Sequence, residues 1–220
     1  MKRKFRIPNL VRRIIRINKK EIDSIPVLEK STQPDPALPT TKESLLSGIR
    51  DNDPLVRVVS IDVIGRFKEK SALPELIVTL QDPLHYVRQK AALALGSIGD
   101  KSAVPALIDA MDDESEEVRN TVAGVLGHLK DKLAVPALIF ALQDKSSTTR
   151  SRAAVSLGCI ADSSAVPALH RLTKDEHERV RKHAIEALTS IGKKAVPALM
   201  EALKDERVRD LATEALMKVK

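Results

Sequence analysis

Three features of this 220-residue sequence could do chemistry: an acid and a guanidinium at fixed spacing, a His-Glu pair, and a thiol. Asp113 stands eight residues after Pro105 and six before Arg119. A carboxylate held near a cation is a general acid or base with a tuned charge. His177-Glu178 is a possible start of a metal site, but the residue four after His177 is Arg181, so the HExxH zinc pattern fails. Cys159 is the single cysteine, which excludes an intramolecular disulfide and a CxxC site and points to a reducing, cytoplasmic setting. No metal or other cofactor is expected.

The Asp-Arg spacing is not unique. Pro74, Asp82 and Arg88 repeat the offsets of Pro105, Asp113 and Arg119, as do Pro136, Asp144, Arg150 and Pro167, Asp175, Arg181. Successive prolines step by 31 residues three times and by 30 to Pro197, the signature of a stacked repeat. Asp51 and Arg57 keep the spacing with Glu43 in the proline's place, and at the other end Pro197 and Asp205 fit while Arg209 comes two residues early. Such atypical end copies belong to a solenoid of about six repeats. A pair written this many times is scaffolding, and an active site is not expected.

Each repeat reads as two helices. Val104, Leu107, Ile108 and Met111 mark one face of a first helix over Ala103 to Met111. Pro105 sits in its first turn, where the missing N–H costs nothing. A second helix, about Glu116 to Leu129, buries Val118, Val122, Leu126 and Leu129, and the intervening DDES supplies turn and cap side chains. The fold class is all-α.

The sequence AVPAL begins at 103, 134, 165 and 195, and Leu-Gly recurs at 95-96, 126-127 and 157-158. With the Pro-Asp-Arg register, residues 42–220 resemble HEAT repeats of the short prokaryotic type, also called phycobilisome-lyase HEAT-like repeats. The resemblance implies a right-handed superhelix with second helices on its concave side. It also implies that the acids and arginines form a structural ladder between repeats: Asp51, Arg57, Asp82, Arg88, Asp113, Arg119, Asp144, Arg150, Asp175 and Arg181. Deoxyhypusine hydroxylase, a HEAT-like enzyme, holds iron with repeated His-Glu pairs, and one pair here leaves no second. Phycobilin lyases carry similar repeats, so a lyase-like or chromophore-handling role is the alternative the resemblance brings.

Charge is unevenly placed. Of 37 Lys and Arg, nine fall in residues 1–20, which hold no acid; residues 21–220 carry the other 28 against 30 acids. The array is near neutral and almost free of aromatic residues, so nucleic acid is not its expected partner. The arm, residues 1–23, places Leu10, Val11, Ile14, Ile15 and Ile22 against Arg12, Arg13, Arg16, Lys19 and Lys20. A basic amphipathic helix of this kind lies on an anionic membrane, binds an acidic partner or docks on the apolar end of the first repeat; all three readings stay open, and the first would make the protein peripheral at a membrane. Residues 24–41 hold four prolines and read as a linker. No segment has the 18 apolar residues of a membrane span.

Positions one, two, five and nine after each ladder arginine vary freely from copy to copy and share a helical face. They comprise Gln89, Lys90, Leu93 and Ser97; Asn120, Thr121 and His128, with Gly124; Ser151, Arg152, Val155 and Cys159; Lys182, His183 and Glu186, with Ser190. A varied ribbon on a repeated scaffold is where partner specificity would be written. The expected function is a non-enzymatic, monomeric scaffold that binds another protein on this face.

Overall fold

The computed structural model describes residues 41–219. The expected arm and linker lie outside them, except that Thr41 already begins a helix. Twelve α-helices follow: α1 (Thr41–Ile49), α2 (Pro54–Phe67), α3 (Leu73–Thr79), α4 (His85–Ile98), α5 (Val104–Asp109), α6 (Glu116–Leu129), α7 (Val135–Ala141), α8 (Ser147–Ile160), α9 (Val166–Leu172), α10 (Glu178–Ile191), α11 (Val196–Ala202) and α12 (Arg209–Lys218). Among the described residues there is no strand. Odd-numbered helices are the first and even-numbered the second of six repeats, an all-α solenoid. The chain divides into two compact units at Ser60.

In the described part of the first unit, Asp51 accepts the Asp53 N–H at 2.8 Å and its carbonyl accepts from Arg57 Nη1 at 2.9 Å. A side chain at Gly48 would collide with Ser60, whose Oγ lies 2.1 Å from the Cβ position. Glycine is what lets α1 approach the start of α2.

In the second unit, Ile61–Lys220, each first helix is entered through a 3₁₀ turn. Asp100, Asp131 and Asp162 cap these turns by accepting the N–H two residues on, at 3.0, 3.0 and 2.9 Å. Pro74, Pro105, Pro136, Pro167 and Pro197 all fall in the first helical turn. The first helix of the third repeat is shorter than the periodicity predicts: only Val104–Asp109 is α, flanked by 3₁₀ turns at Lys101–Ala103 and Ala110–Asp112. Tightening to i→i+3 bonds satisfies terminal groups that a one-and-a-half-turn helix leaves free. The second helix, Glu116–Leu129, matches its prediction, with the Ser115 hydroxyl accepting the Val118 N–H at 3.4 Å.

The core is a set of columns running through the stack. Leu76, Leu107, Leu138, Leu169 and Leu199, each two residues after the proline, are fully buried, as are Leu95, Leu126, Leu157 and Leu188 from the second helices. Each repeat covers its neighbour's apolar face, so no central core is needed.

A third column is glycine. A Cβ at Gly65 or Gly158 would lie 3.0 Å from the Cα of Ala94 or Ala187, and at Gly127 it would lie 2.7 Å from the Ser156 Cα. These glycines bring second helices into backbone contact. The column ends at Thr189, and α12 packs on α10 far less extensively than α10 packs on α8. Other links fail at the same joint. The ion pairs Lys101–Asp131 (3.8 Å) and Lys132–Asp162 (3.3 Å) give way there to one long bond from Lys194 Nζ to Ser163 Oγ at 3.5 Å, because Ser163 and Gly192 stand in the places of the lysine and the acid.

Candidate binding face

The ladder arginines lie near the starts of the second helices. Arg88 donates from Nε and Nη2 to both oxygens of Asp113, at 2.6 and 2.7 Å, and from Nη1 to the Asp82 carbonyl at 2.8 Å. Arg119 holds Asp144 at 2.7 and 3.0 Å and the carbonyls of Asp113 and Glu114 at 2.8 and 3.0 Å. Arg150 holds Asp175 at 2.8 and 3.0 Å and the Asp144 carbonyl at 3.0 Å. Each acid also accepts a backbone N–H two residues on, from Ser115, Ser146 and His177. Burial works to raise these carboxyl groups, and the arginine and backbone hydrogen bonds overcome it, leaving Asp113, Asp144 and Asp175 below the usual carboxylate range.

Arg181 departs from this pattern. It donates to the carbonyls of Asp175 and Glu176 at 3.0 and 2.9 Å, but its Nε is buried without a partner. Asp205, the acid of the next repeat, is held within its own turn by Arg207 at 2.7 and 3.1 Å. The Arg207 side chain, then its N–H, pull the Asp205 carboxyl down to about 2.

The varied ribbon on the second helices is partly occupied by contacts within the protein. Gln89 Nε2 donates to Thr121 Oγ1 at 3.0 Å, Arg152 Nε to Asn120 Oδ1 at 3.4 Å, and Ser151 Oγ pairs with His183 Nδ1 at 2.5 Å. Each joins the residue after one ladder arginine to the second residue after the next, 32 positions on. This polar ladder escaped the sequence reading, which aligned copies at one offset. The complementary pairs at the offset of 32 were its signal. Ser151 is a correction: it is 2% exposed and turned into the helix contact, so it is unavailable to a partner. Gln89, Val155 and His183 are half-buried, and burial lowers the His183 pKa. Lys90 is also half-buried, with its ammonium 3.3 Å from Asp62.

Leu93, Ser97, His128, Arg152, Cys159, Lys182 and Glu186 are exposed. The structure brings Leu93, Ser97, Asn120, Thr121, His128 and Arg152 together around a depression of about 390 Å³ between α4 and α6. Cys159 lies one repeat on, as an exposed free thiol. His177 sits near Asp175, Glu176 and Arg150 in the turn. Among the described residues no group of three or more His, Cys, Asp and Glu could hold a metal ion, and no described helix is long and apolar enough to cross a membrane.

Comparison with family models matches HEAT repeats over residues 43–127, 104–165 and 135–217. The chain belongs to the HEAT-repeat family. Among solved structures, the array is similar to a chain of the complex of CpcE and CpcF of phycocyanin lyase from a Nostoc species, with 25% identity and a TM-score of 0.63 over 86% of this chain and 80% of that one. It is also similar in fold to a designed armadillo repeat protein in complex with the peptide (KR)4, at 20% identity and a TM-score of 0.63 over 82% of this chain and 100% of that one. An engineered protein shares the fold at 20% identity and a TM-score of 0.59, covering 83% and 99% of the two chains. A search of curated proteins returned no match. In this HEAT array, then, the repeated residues serve the stack, and the varied positions, Ser151 apart, are exposed or half-buried.

Proposed function

We propose that this HEAT array is an interaction scaffold that holds another protein along its second helices. The observation that carries the reading is the asymmetry of packing. Glycines bring second helices to backbone contact, whereas the backbones of successive first helices stay farther apart. A stack closer on one side than the other bends toward the close side, which supports second helices as the inner wall of a groove. Along that wall stand exposed side chains that differ from copy to copy. Arg88, Arg119 and Arg150 spend their donors on internal bonds to Asp113, Asp144 and Asp175 and to turn carbonyls, which leaves little over for a substrate.

The similarity to the CpcE–CpcF complex supports binding to another protein, and it is also the observation behind a second reading, a role in handling a bilin. The two separate simply: purified protein that acquires visible absorbance from an added linear tetrapyrrole takes the second reading.

The first is tested with paired charge reversals once a partner is in hand. Arg152→Glu with Lys182→Glu alters the second-helix wall, and Asp109→Lys with Arg171→Glu alters the first-helix side; all four positions are exposed. By titration calorimetry the wall variant is expected to lose at least about tenfold in affinity, ~1.4 kcal/mol, and the other to bind as the parent does. The reverse result moves the binding face to the first helices.

A further inference from the structure

Position five after the ladder arginine carries Asp62, Leu93, Val155 or Glu186 on neighbouring second helices, but on α6 it is Gly124. Gly124 is among the residues that line the depression of about 390 Å³ noted above. One wall is Leu93, 44% exposed, and Gly96, Gly124 and Val125 are among its lining. Its other side is basic. The Arg152 stem lies over Gly124, where a Cβ would come within 3.2 Å of its Cδ, and His128 stands exposed at the rim.

Arg152 differs from the arginines of the ladder. Arg88, Arg119 and Arg150 each clasp a carboxylate with two nitrogens. Arg152 has one long bond, from Nε to the neutral Asn120, and no ion pair with a described residue. Its two terminal nitrogens are exposed donors beside an apolar hollow. A guanidinium presented in this way matches a carboxylate bidentately, which a lysine cannot do.

We propose that this depression is the specificity pocket of the binding face, and that it takes a peptide segment in which an aliphatic side chain adjoins a carboxylate. The aliphatic group fills the depression, against Leu93 and Val125. The carboxylate accepts from Arg152, with His128 at the rim as a second donor. The pocket rests on the reading of the second helices as the binding wall, and names the chemistry of the partner there.

The test uses the full chain and fluorescence anisotropy with three labelled octapeptides, in which leucine alternates with glutamate, glutamine or lysine. The parent is expected to bind the leucine–glutamate peptide at least about tenfold more tightly than the other two. Arg152→Gln should erase that preference. Gly124→Leu should abolish binding while preserving the fold, since leucine is a far better helix former than glycine and the atom it meets is the flexible Arg152 stem. If Gly124→Leu loses its helical signal, Ser97→Trp at the exposed rim blocks the same space. No preference in the parent, or equal binding by parent and variants, overturns the pocket. If the peptide fails while the wall variant still loses its protein partner, the pocket alone is wrong. If neither responds, the binding wall is wrong as well.

Discussion

Replacing Arg119 by alanine isolates the energetic weight of one ladder rung. The substitution removes two bonds to Asp144 and two to the carbonyls of Asp113 and Glu114. It leaves the Asp144 charge in place, with only the Ser146 N–H among its described hydrogen-bond donors. The pair is largely out of water, with side-chain exposures of 7% and 11%. Removing one partner of a buried pair costs about 3–5 kcal/mol, chiefly because the other charge is stranded. Arg66–Asp62 is the control, an i,i+4 pair with exposures of 66% and 36%, worth about 0.3–0.5 kcal/mol. With a urea slope of ~2 kcal/mol per M, Arg119→Ala should lower the midpoint followed by circular dichroism by about 1.5–2.5 M, and Arg66→Ala by at most ~0.25 M. Replacing both partners, Arg119→Met with Asp144→Leu, should recover much of the loss, because no charge is then left unpaired. Equal small shifts for Arg119→Ala and Arg66→Ala would refute the structural role of the ladder.

Acid should weaken the same rungs. The carboxyls of Asp113, Asp144 and Asp175 lie below their unfolded values when folded, so their contribution is complete above an unfolded pKa of about 3.9 and is lost as pH falls through the folded values; denaturation at stepped pH should show a level plateau to about pH 5 and a decline below ~4 that is shallower in the Arg119→Met, Asp144→Leu protein. Gly127→Ala should lower the melting temperature although alanine favours helix, because its Cβ would meet the Ser156 backbone at 2.7 Å and overpacking costs about 1–3 kcal/mol; an unchanged melt would show that the second helices have room to part. At the last joint, Arg181 lacks its acid, Thr189 replaces glycine and the outer ion pair is gone, so hydrogen exchange should be faster in α11 and α12 than in α7 to α10, and equal protection would contradict the weak joint.

The period of 31 residues made the repeats, the second helices and the buried leucine columns legible, because core packing must recur wherever repeats stack. The first-helix boundaries were less legible, since 3₁₀ tightening depends on end groups rather than on apolar spacing. The binding face was read from variability, which records only that a position escapes the repeat. Ser151 escapes it and is buried, because its hydroxyl meets His183 one repeat on, a constraint satisfied by pairs of residues rather than by a fixed residue type. The depression at Gly124 depends on how Leu93, Val125 and Arg152 lie around it, which does not follow from periodicity.

The proposed scaffold holds its partner along the second helices. Photo-crosslinking with a benzophenone amino acid placed singly at Ser97, His128, Asp109 and Arg171, all exposed positions, tests it most directly. The captured partner is expected to crosslink to the residues replacing Ser97 and His128 and not to those replacing Asp109 and Arg171. Crosslinks confined to positions 109 and 171 would contradict it.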